Sequence, residues 1–241
     1  MRSLAVFLRE AAGIIIIYLT LRSFDQLNDW NTMELFFLYS LVFMTYGILI
    51  IFFTGLRDFE WTVNGGGLDR FLLWPQGVLF QVLASNSDWF AAIGHGGLGL
   101  VLLLVSAGKI GVVWTTGTVV YFVFAIISGV LIQGAIFLFI ASLCFYIMKV
   151  NNIRGVLYHD TRQFAGYPIS IYPKAIQVLM IYIVPFAFVN YFPVQFVLRK
   201  PDMAAFSPVY MYIVPFVGIV LYLLAYAFWR FYLKHYHSSG N

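Results

Sequence analysis

The chain has few charged residues. Only 10% of its 241 residues are Asp, Glu, Lys or Arg, whereas 62% are hydrophobic and 20% are aromatic. Soluble globular proteins carry about 25% charged residues, so this composition excludes a water-soluble fold and indicates an integral membrane protein. The apolar residues form continuous runs and do not alternate with polar ones, which predicts membrane-spanning helices and not the strands of a β-barrel.

Cysteine is nearly absent, and so are the residue groupings that catalysis requires. Cys144 is the single cysteine, so no internal disulfide can form, and its apolar surroundings are typical of a packing residue. The four histidines are too scattered to indicate a metal site, and no serine, cysteine or acid pair has the neighbours that a hydrolase needs. We therefore predict no catalytic residue, no metal and no cofactor on this chain.

The sequence also lacks a nucleotide-binding loop. Its one Gly-Lys pair is Gly108-Lys109. A phosphate-binding loop would need glycine where Leu103 stands, and serine or threonine where Ile110 stands. ATP is therefore not bound in that way. The net charge of +4 is small, and its uneven placement indicates membrane orientation and not nucleic-acid binding.

The apolar runs predict six transmembrane helices. A crossing takes about 20 apolar residues, and the first run reaches that length only if Arg9 extends its charge to the interface. Residues 111–148 carry no charge and would extend about 57 Å as one helix, so we place a single crossing within them. The predicted spans are 4–21, 35–56, 89–108, 119–140, 175–198 and 203–229.

Glycines and prolines modify three of these spans. Small residues near His95 (Gly94, Gly96, Gly97 and Gly99) favour close helix contact. Pro185 and Pro193 lie in the fifth predicted span, and Pro208 and Pro215 lie in the sixth. Proline inside a span kinks it, and the carbonyls that it frees must find hydrogen-bond donors on neighbouring helices.

Six spans place both chain termini on one side of the membrane. Cytoplasmic loops carry an excess of Lys and Arg, so the unequal division of basic residues predicts that both termini, and residues 60–85, are cytoplasmic. One side carries Arg2, Arg9, Arg57, Arg70, Lys149, Arg154, Arg162, Lys174, Arg230 and Lys234, and the other carries Arg22, Lys109, Arg199 and Lys200.

Residues 60–85 are the most polar stretch between two predicted spans. They contain three consecutive glycines, which can take positive φ and turn sharply, followed by the acid-base pair Asp69 and Arg70 and by Pro75. The apolar residues recur at roughly helical intervals, so we expect this segment to lie along the membrane surface with Asp69 and Arg70 in water. Those apolar residues are Leu68, Phe71, Leu72, Phe80 and Leu83.

His95 is the one ionisable residue well inside a predicted span. Such residues mark transport pathways by default. The alternative is a neutral histidine that is hydrogen-bonded to a neighbouring helix.

Three stretches resemble one known family. GGGLDRFLLWP (65–75) resembles the G-x-LD-x-x-LL-x-P element of ABC-2 family transporter permeases, in the branch of compact six-helix bacterial permeases. YPISIYPKAIQVLMIYIVPFAFVNYFP (167–193) is similar to that branch's YPI-x-IYP motif and the PFAFVNY-P span after it. FWRFYLKHYHSSGN (228–241) is similar to its W-x-x-x-L-x-x-Y-x-S-x-G terminus.

This resemblance implies one permease domain, 1–241, in the bacterial plasma membrane. The chain would be the membrane subunit of an ATP-driven exporter, paired with a second permease, identical or paralogous. Two copies of a separate cytoplasmic ATPase would bind ATP and Mg, so the chain's partners are these proteins and the lipid bilayer, with no nucleic acid. The ATPase-coupling residues implied here are Gly65, Gly66, Gly67, Leu68, Asp69, Arg70, Phe71 and Pro75.

The sequence departs from the family pattern in two places. The stretch before the first span is short, and Trp74 stands where relatives often carry a basic residue before the motif proline. Two other functions stay open. One is a non-transporting scaffold or sensor subunit. The other is an intramembrane lipid-modifying enzyme with His95 as its base, although we see no second polar group in the spans to support it.

Overall fold

The computed structural model describes residues 30–147, 149–200 and 206–236, and within these ranges all regular elements are helical. Four helices there are long and apolar enough to cross a membrane, and a bent pair of helices makes a fifth candidate span. The first predicted span, 4–21, lies outside the described residues. The four long helices are α1 (Thr32–Phe52), α2 (Trp89–Ile110), α3 (Thr116–Leu143) and α4 (Val209–Lys234).

The long helices begin and end at recognisable capping residues. The Asn31 side chain accepts a hydrogen bond from the Glu34 backbone N–H (3.0 Å), and Glu34 Oε2 accepts one from the Asn31 N–H (2.9 Å). This reciprocal capping box fixes the start of α1. Asp88 caps α2 in the same sense, accepting from the Ala91 N–H at 3.0 Å. Gly111, with φ of 75°, ends α2 in the left-handed conformation that favours glycine.

The first described span ends earlier than predicted. We expected helix over 35–56, but α1 ends at Phe52 and a separate helix, Thr54–Arg57, follows. The Thr54 hydroxyl donates to the Ile50 carbonyl, and such a side-chain bond competes with the backbone ladder and favours a break. The predicted single crossing within 111–148 is confirmed as α3, which is longer at both ends than the predicted 119–140.

Glycines allow two pairs of helices to pack closely, as the sequence predicted for α2. A Cβ on Gly47 of α1 would lie 2.7 Å from Gly96 Cα of α2, and a Cβ on Gly99 would lie 2.7 Å from the Met44 backbone nitrogen. The pair α3 and α4 meets in the same way, because a Cβ on Gly218 would lie 2.7 Å from Ser128 Cα. Contacts between α1 and α3 join the two pairs.

Pro215 lies inside α4, and side chains of α3 form hydrogen bonds with the α4 backbone where the proline interrupts the helix. Proline lacks an N–H, so the Met211 carbonyl, four residues earlier, loses its helical donor. The Tyr121 hydroxyl donates to that carbonyl at 2.7 Å. One turn on, the Ser128 hydroxyl donates to the Val214 carbonyl at 2.6 Å and accepts from the Gly218 N–H at 3.0 Å. The expectation that neighbouring helices satisfy the freed carbonyl is confirmed here.

The fifth predicted span is broken, and not a single kinked helix. Lys174–Ile183 and Phe186–Leu198 meet at an angle of 74°. Val184 is extended, with φ of −123° and ψ of 83°, as the residue before a proline tends to be. Pro193 lies near the start of the helix Tyr191–Leu198, where proline is tolerated. Pro208, predicted inside a span, instead precedes α4 at its cap position.

The helix order defines two ends of the molecule. Phe59 follows the C-terminal end of α1, and its ring centroid lies 5.1 Å from that of Trp229 near the C-terminal end of α4. We call this end, which holds residues 54–88, the coupling end, and the opposite end the far end. Lys174 was predicted at the coupling end, but its Nζ lies 6.0 Å from the Phe206 ring, which precedes α4 at the far end. That assignment was wrong.

Candidate functional site

Residues 54–85 form four short helices at the coupling end. After the helix Thr54–Arg57 come Phe59–Asn64, Gly67–Leu73 and Val78–Ser85. The sequence predicted one helical stretch after the glycines, but the chain breaks at Trp74, which is extended with ψ of 148°. Trp74 precedes Pro75, and proline disfavours helical geometry in the residue before it. We call these four helices the 54–85 element.

Only one of the three consecutive glycines takes positive φ. Gly66 has φ of 71° and is the N-cap of the helix Gly67–Leu73, whereas Gly65 has φ of −87°. Gly67 is the first residue of that helix. A Cβ on Gly66 would meet nothing within 4 Å, so the backbone conformation, and not a lack of space, is what favours glycine there.

Asp69 and Arg70 differ in their surroundings. Asp69 lies in the first turn of the helix Gly67–Leu73, where a carboxylate is favoured by the helix dipole. Asp69 is half-buried, so the expectation that it faces water is wrong. The N-cap of this helix is Gly66. Arg70 is exposed as expected, and its guanidinium carbon lies 5.7 Å from the Phe71 ring centroid.

The inner face of the 54–85 element is packed and hydrogen-bonded. Leu68, Phe71 and Val82 are buried. Gln81, also buried, donates to the Phe71 carbonyl (2.9 Å) and to the Gln76 carbonyl (2.7 Å). One side chain thus joins the helices on either side of the Pro75 bend.

The element is fastened to both of the spans that flank it. A Cβ on Gly55 would lie 2.8 Å from the Val82 carbonyl carbon and 3.0 Å from Ser85 Oγ, so the first and last of the four helices touch backbone to backbone. Asn86 donates to Asp58 Oδ2 at 2.9 Å. The Asp88 N–H donates to the carbonyl of Ile50, in α1, at 3.3 Å.

The outer face of the same element is apolar and exposed. Leu73 is 85% exposed and Trp61 is 72% exposed. The predicted single apolar face is therefore wrong, because Leu68 and Phe71 point inward while Leu72 and Phe80 are exposed. Clustered exposed apolar residues mark a protein or membrane contact. The exposed set is Trp61, Leu72, Leu73, Trp74 and Phe80.

A second segment holds the element from the side of α3, and the sequence did not reveal it. Residues 151–164 form a continuous helical run in which Gly155–Asp160 is a π-helix. The Val150 N–H donates to Glu60 Oε2 at 3.2 Å, and Arg154 donates to the Arg57 carbonyl. The excess of basic residues in this region predicted only its side of the membrane.

His95 is packed within an aromatic cluster. It is 4% exposed, and its Nδ1 lies 2.9 Å from the Ala91 carbonyl oxygen within α2. The Tyr46 ring packs edge to face against the His95 ring, with 4.8 Å between the ring centroids. The Arg162 guanidinium carbon lies 3.9 Å from the centroid of the same Tyr46 ring. The geometry shows a histidine held by packing, and a role in a transport pathway stays a prediction.

A sequence model described as ABC-2 family transporter protein matches residues 7–240, almost the whole chain. The chain belongs to the ABC-2 transporter family. It is an all-α, polytopic membrane protein with the role of a transporter's membrane subunit, and it is not itself catalytic. Searches of curated proteins and of solved structures gave no match.

The membrane-spanning core of this ABC-2 chain contains a second polar side chain besides His95, which the sequence analysis did not recognise. We saw no second polar group in the spans, but Gln133 of α3 is fully buried there. Its Nε2 donates to Thr45 Oγ1 of α1 at 2.8 Å, and its Oε1 accepts from the Tyr158 hydroxyl at 2.6 Å. Gln133 therefore joins α1, α3 and the 151–164 run in a fully paired, structural role.

The buried phenol of this network is held in its neutral form. Tyr158 is fully buried, and the low-dielectric interior disfavours the charged phenolate. Tyr158 therefore remains a hydrogen-bond donor to Gln133 throughout the physiological pH range. Through Tyr158, the segment that holds the 54–85 element is also anchored in the core of the ABC-2 chain.

Proposed function

We propose that this chain is the permease subunit of an ATP-driven ABC exporter. It forms the translocation path with a second permease chain, identical or paralogous, and it docks through the 54–85 element on a separate cytoplasmic ATPase, of which the complex has two copies. One observation carries the proposal. The element exposes several large apolar side chains, while its first and last helices pack against each other where the end of α1 is hydrogen-bonded to the start of α2.

The fastened face is suited to transmit force. Gly55 and the Val82 carbonyl have no free space between them, so a push on the helix Val78–Ser85 moves the end of α1 with it. The 151–164 run adds a second connection, through Arg154 and the Arg57 carbonyl. ATP binding would close the ATPase pair, and the resulting motion would tilt α1 and α2 so that the path alternates. ATP and Mg belong to the partner, and this chain holds no cofactor.

Charge supports a cytoplasmic position for the coupling end in the bacterial plasma membrane. The C-terminal end of α4 lies at this end, as the contact of Trp229 with Phe59 shows. Basic residues concentrate there, which is typical of the cytoplasmic side. Those within the described ranges are Arg57, Arg70, Lys149, Arg154, Arg230 and Lys234. Arg162 was predicted on this side as well, but that assignment was wrong, because its guanidinium carbon lies 3.9 Å from the ring of Tyr46, which is in the middle of α1.

Substitution of the most exposed apolar residue tests the proposal. Leu73→Asp places a charge in the proposed contact, while Leu73 has no buried role in the fold because it is 85% exposed. The tagged full chain is purified from its host, and bound proteins are identified by mass spectrometry. We expect the wild-type chain to retain an ATPase with a nucleotide-binding loop and Leu73→Asp to lose it. Val113→Asp, which changes a 76% exposed residue at the far end, is the matched control for assembly.

The outcomes separate the three functions. A retained ATPase together with ATP-stimulated transport in reconstituted vesicles supports the exporter. A retained ATPase that stimulates no transport supports the scaffold subunit instead. If no ATPase is bound, the exporter is wrong and the intramembrane enzyme is favoured. If Leu73→Asp keeps the ATPase as well as Val113→Asp does, the proposed coupling site is wrong.

A further inference from the structure

A cavity of about 700 Å³ opens at the far end of the molecule, away from the 54–85 element. It lies between the last turn of α2, the first turns of α3 and α4, and the end of the helix Tyr191–Leu198. Its volume is in the range of small-molecule sites, about 300–1,000 Å³. The lining residues that matter below are Val113, Gln195, Arg199, Lys200 and Met211.

Among the described residues, the cavity wall carries one positive charge that has no carboxylate partner. Lys200 pairs with Glu34, with Nζ to Oε2 at 2.7 Å. Arg199 is exposed, and in the ranges that the structure describes no carboxylate pairs with it. Two helices begin at the cavity and two end there, so their dipoles oppose one another and the side chains decide the sign of the local charge.

Arg199 occupies an unusual backbone position. Its φ is 51°, and among the described residues it is the one non-glycine residue with positive φ. It ends the helix Tyr191–Leu198 by donating its backbone N–H to the Gln195 carbonyl. Glycine or asparagine suits that position better than arginine. A strained arginine at a cavity wall indicates a use for its side chain.

A buried amide lies beside the arginine. Gln195 is 1% exposed, and its Nε2 donates to the Tyr191 hydroxyl at 2.9 Å. Within the described part of the chain its Oε1 has no hydrogen-bond partner. A buried amide oxygen without a donor is costly, and a ligand hydroxyl or ammonium reached by rotation of the side chain would supply one.

We infer that this cavity binds the phosphate group of an amphiphile at the far membrane surface. The Arg199 guanidinium offers the planar pair of donors that phosphate oxygens accept. The apolar walls, which include Val113 and Met211, receive the start of an acyl chain, and Gln195 accepts a hydrogen bond from a headgroup hydroxyl. The source of the phosphate is a lipid headgroup or a soluble phosphate ester. The site does not depend on an ATPase partner.

The test measures ligand binding to the purified full chain by native mass spectrometry. The probes are dihexanoyl phosphatidylglycerol, dihexanoylglycerol, which has the same tails without phosphate, and inorganic phosphate. We expect phosphatidylglycerol to bind at least about tenfold more tightly than dihexanoylglycerol, which corresponds to one charge-assisted hydrogen bond. Competition by inorganic phosphate indicates a soluble anion as the natural ligand, and its failure to compete indicates a lipid.

Two substitutions locate the site. Arg199→Asn removes the charge and suits the positive φ, so it should weaken phosphatidylglycerol binding about tenfold. Lys109→Asn removes an exposed charge from the last turn of α2, at the same end but outside the cavity lining, and should have a much smaller effect. Equal effects of the two, or equal binding of phosphatidylglycerol and dihexanoylglycerol, would overturn the inference.

A third variant keeps the inference testable if Arg199→Asn does not fold. Val113→Trp adds volume at a 76% exposed position on the cavity wall and leaves every charge unchanged. We expect it to block phosphatidylglycerol binding while the melting midpoint of the protein stays the same. Unchanged binding by this variant would also overturn the inference.

Discussion

At the scale of single residues, Gly66 has a role that its two glycine neighbours do not share. Because Gly66 alone has positive φ, Gly66→Ala should destabilise the turn by about 1–2 kcal/mol, the cost of the left-handed conformation for a residue with a Cβ. The melting midpoint of the purified chain should fall accordingly. Gly77→Ala is the matched control, since Gly77 has φ of −58° and open space around it. Equal midpoints for the two variants would contradict the prediction.

Tyr158 carries a second prediction at the residue scale. Tyr158→Phe leaves the buried Gln133 Oε1 without the donor that now lies 2.6 Å away. An unpaired buried acceptor costs about 1–3 kcal/mol, so the melting midpoint should fall and protease cleavage within 151–164 should quicken. Tyr146→Phe is the control, because Tyr146 is exposed and its hydroxyl lies at the long distance of 3.5 Å from the His235 carbonyl. A Tyr158→Phe chain as stable as this control would show that the network contributes nothing.

At the scale of helices and segments, the contact between Gly55 and Val82 is predicted to transmit force. Gly55→Ala would place a methyl group against the Val82 carbonyl, and relieving such overpacking costs about 1–3 kcal/mol. We expect the bound ATPase to be retained, since the outer face is unchanged, while ATP-stimulated transport is lost. Gly108→Ala, with nothing within 4 Å of the added Cβ, should transport normally. Normal transport by Gly55→Ala would mean that force passes elsewhere.

Arg70 is predicted to anchor the 54–85 element to its partner. Arg70→Glu reverses an exposed charge and should weaken ATPase retention in a salt-dependent manner, since exposed ion pairs are screened by salt. Arg230→Glu makes the same reversal at an exposed position of α4 near the coupling end. If assembly and transport survive Arg70→Glu as well as they survive Arg230→Glu, Arg70 is simply solvated.

The elements also show what sequence could and could not predict. Long uncharged runs identified α1 to α4 because the membrane requires about 20 apolar residues for each crossing. The break at Pro185 was underestimated, since a proline alone does not fix a 74° bend. The 151–164 run was missed because its placement rests on Tyr158 and Gln133, which are 25 residues apart. In the 54–85 element, Leu68 and Phe71 are buried and Leu72 is exposed within one helix, and the break at Trp74 separates this helix from the one that carries Phe80.

At the scale of the whole molecule, the paths of the helices make the orientation testable. The 54–85 element and the C-terminal end of α4 lie at one end, and the loop at Val113 lies at the other. The native cysteine should not interfere with thiol labelling, because Cys144 is buried and burial raises its pKa to about 12. Thiolate is the reactive form, so Cys144 should stay unlabelled at neutral pH.

Single cysteines at Gln76 and Val113 then report the two ends independently. Both positions are exposed, so each thiol is free to react with a membrane-impermeant maleimide. In intact cells we expect Val113→Cys to be labelled and Gln76→Cys to be protected until the membrane is opened, because the excess of positive charge at the coupling end favours the cytoplasmic side. The reverse pattern would put the 54–85 element beyond the reach of any cytoplasmic ATPase and would overturn the proposed function, whereas it would leave the helix packing described above unaffected.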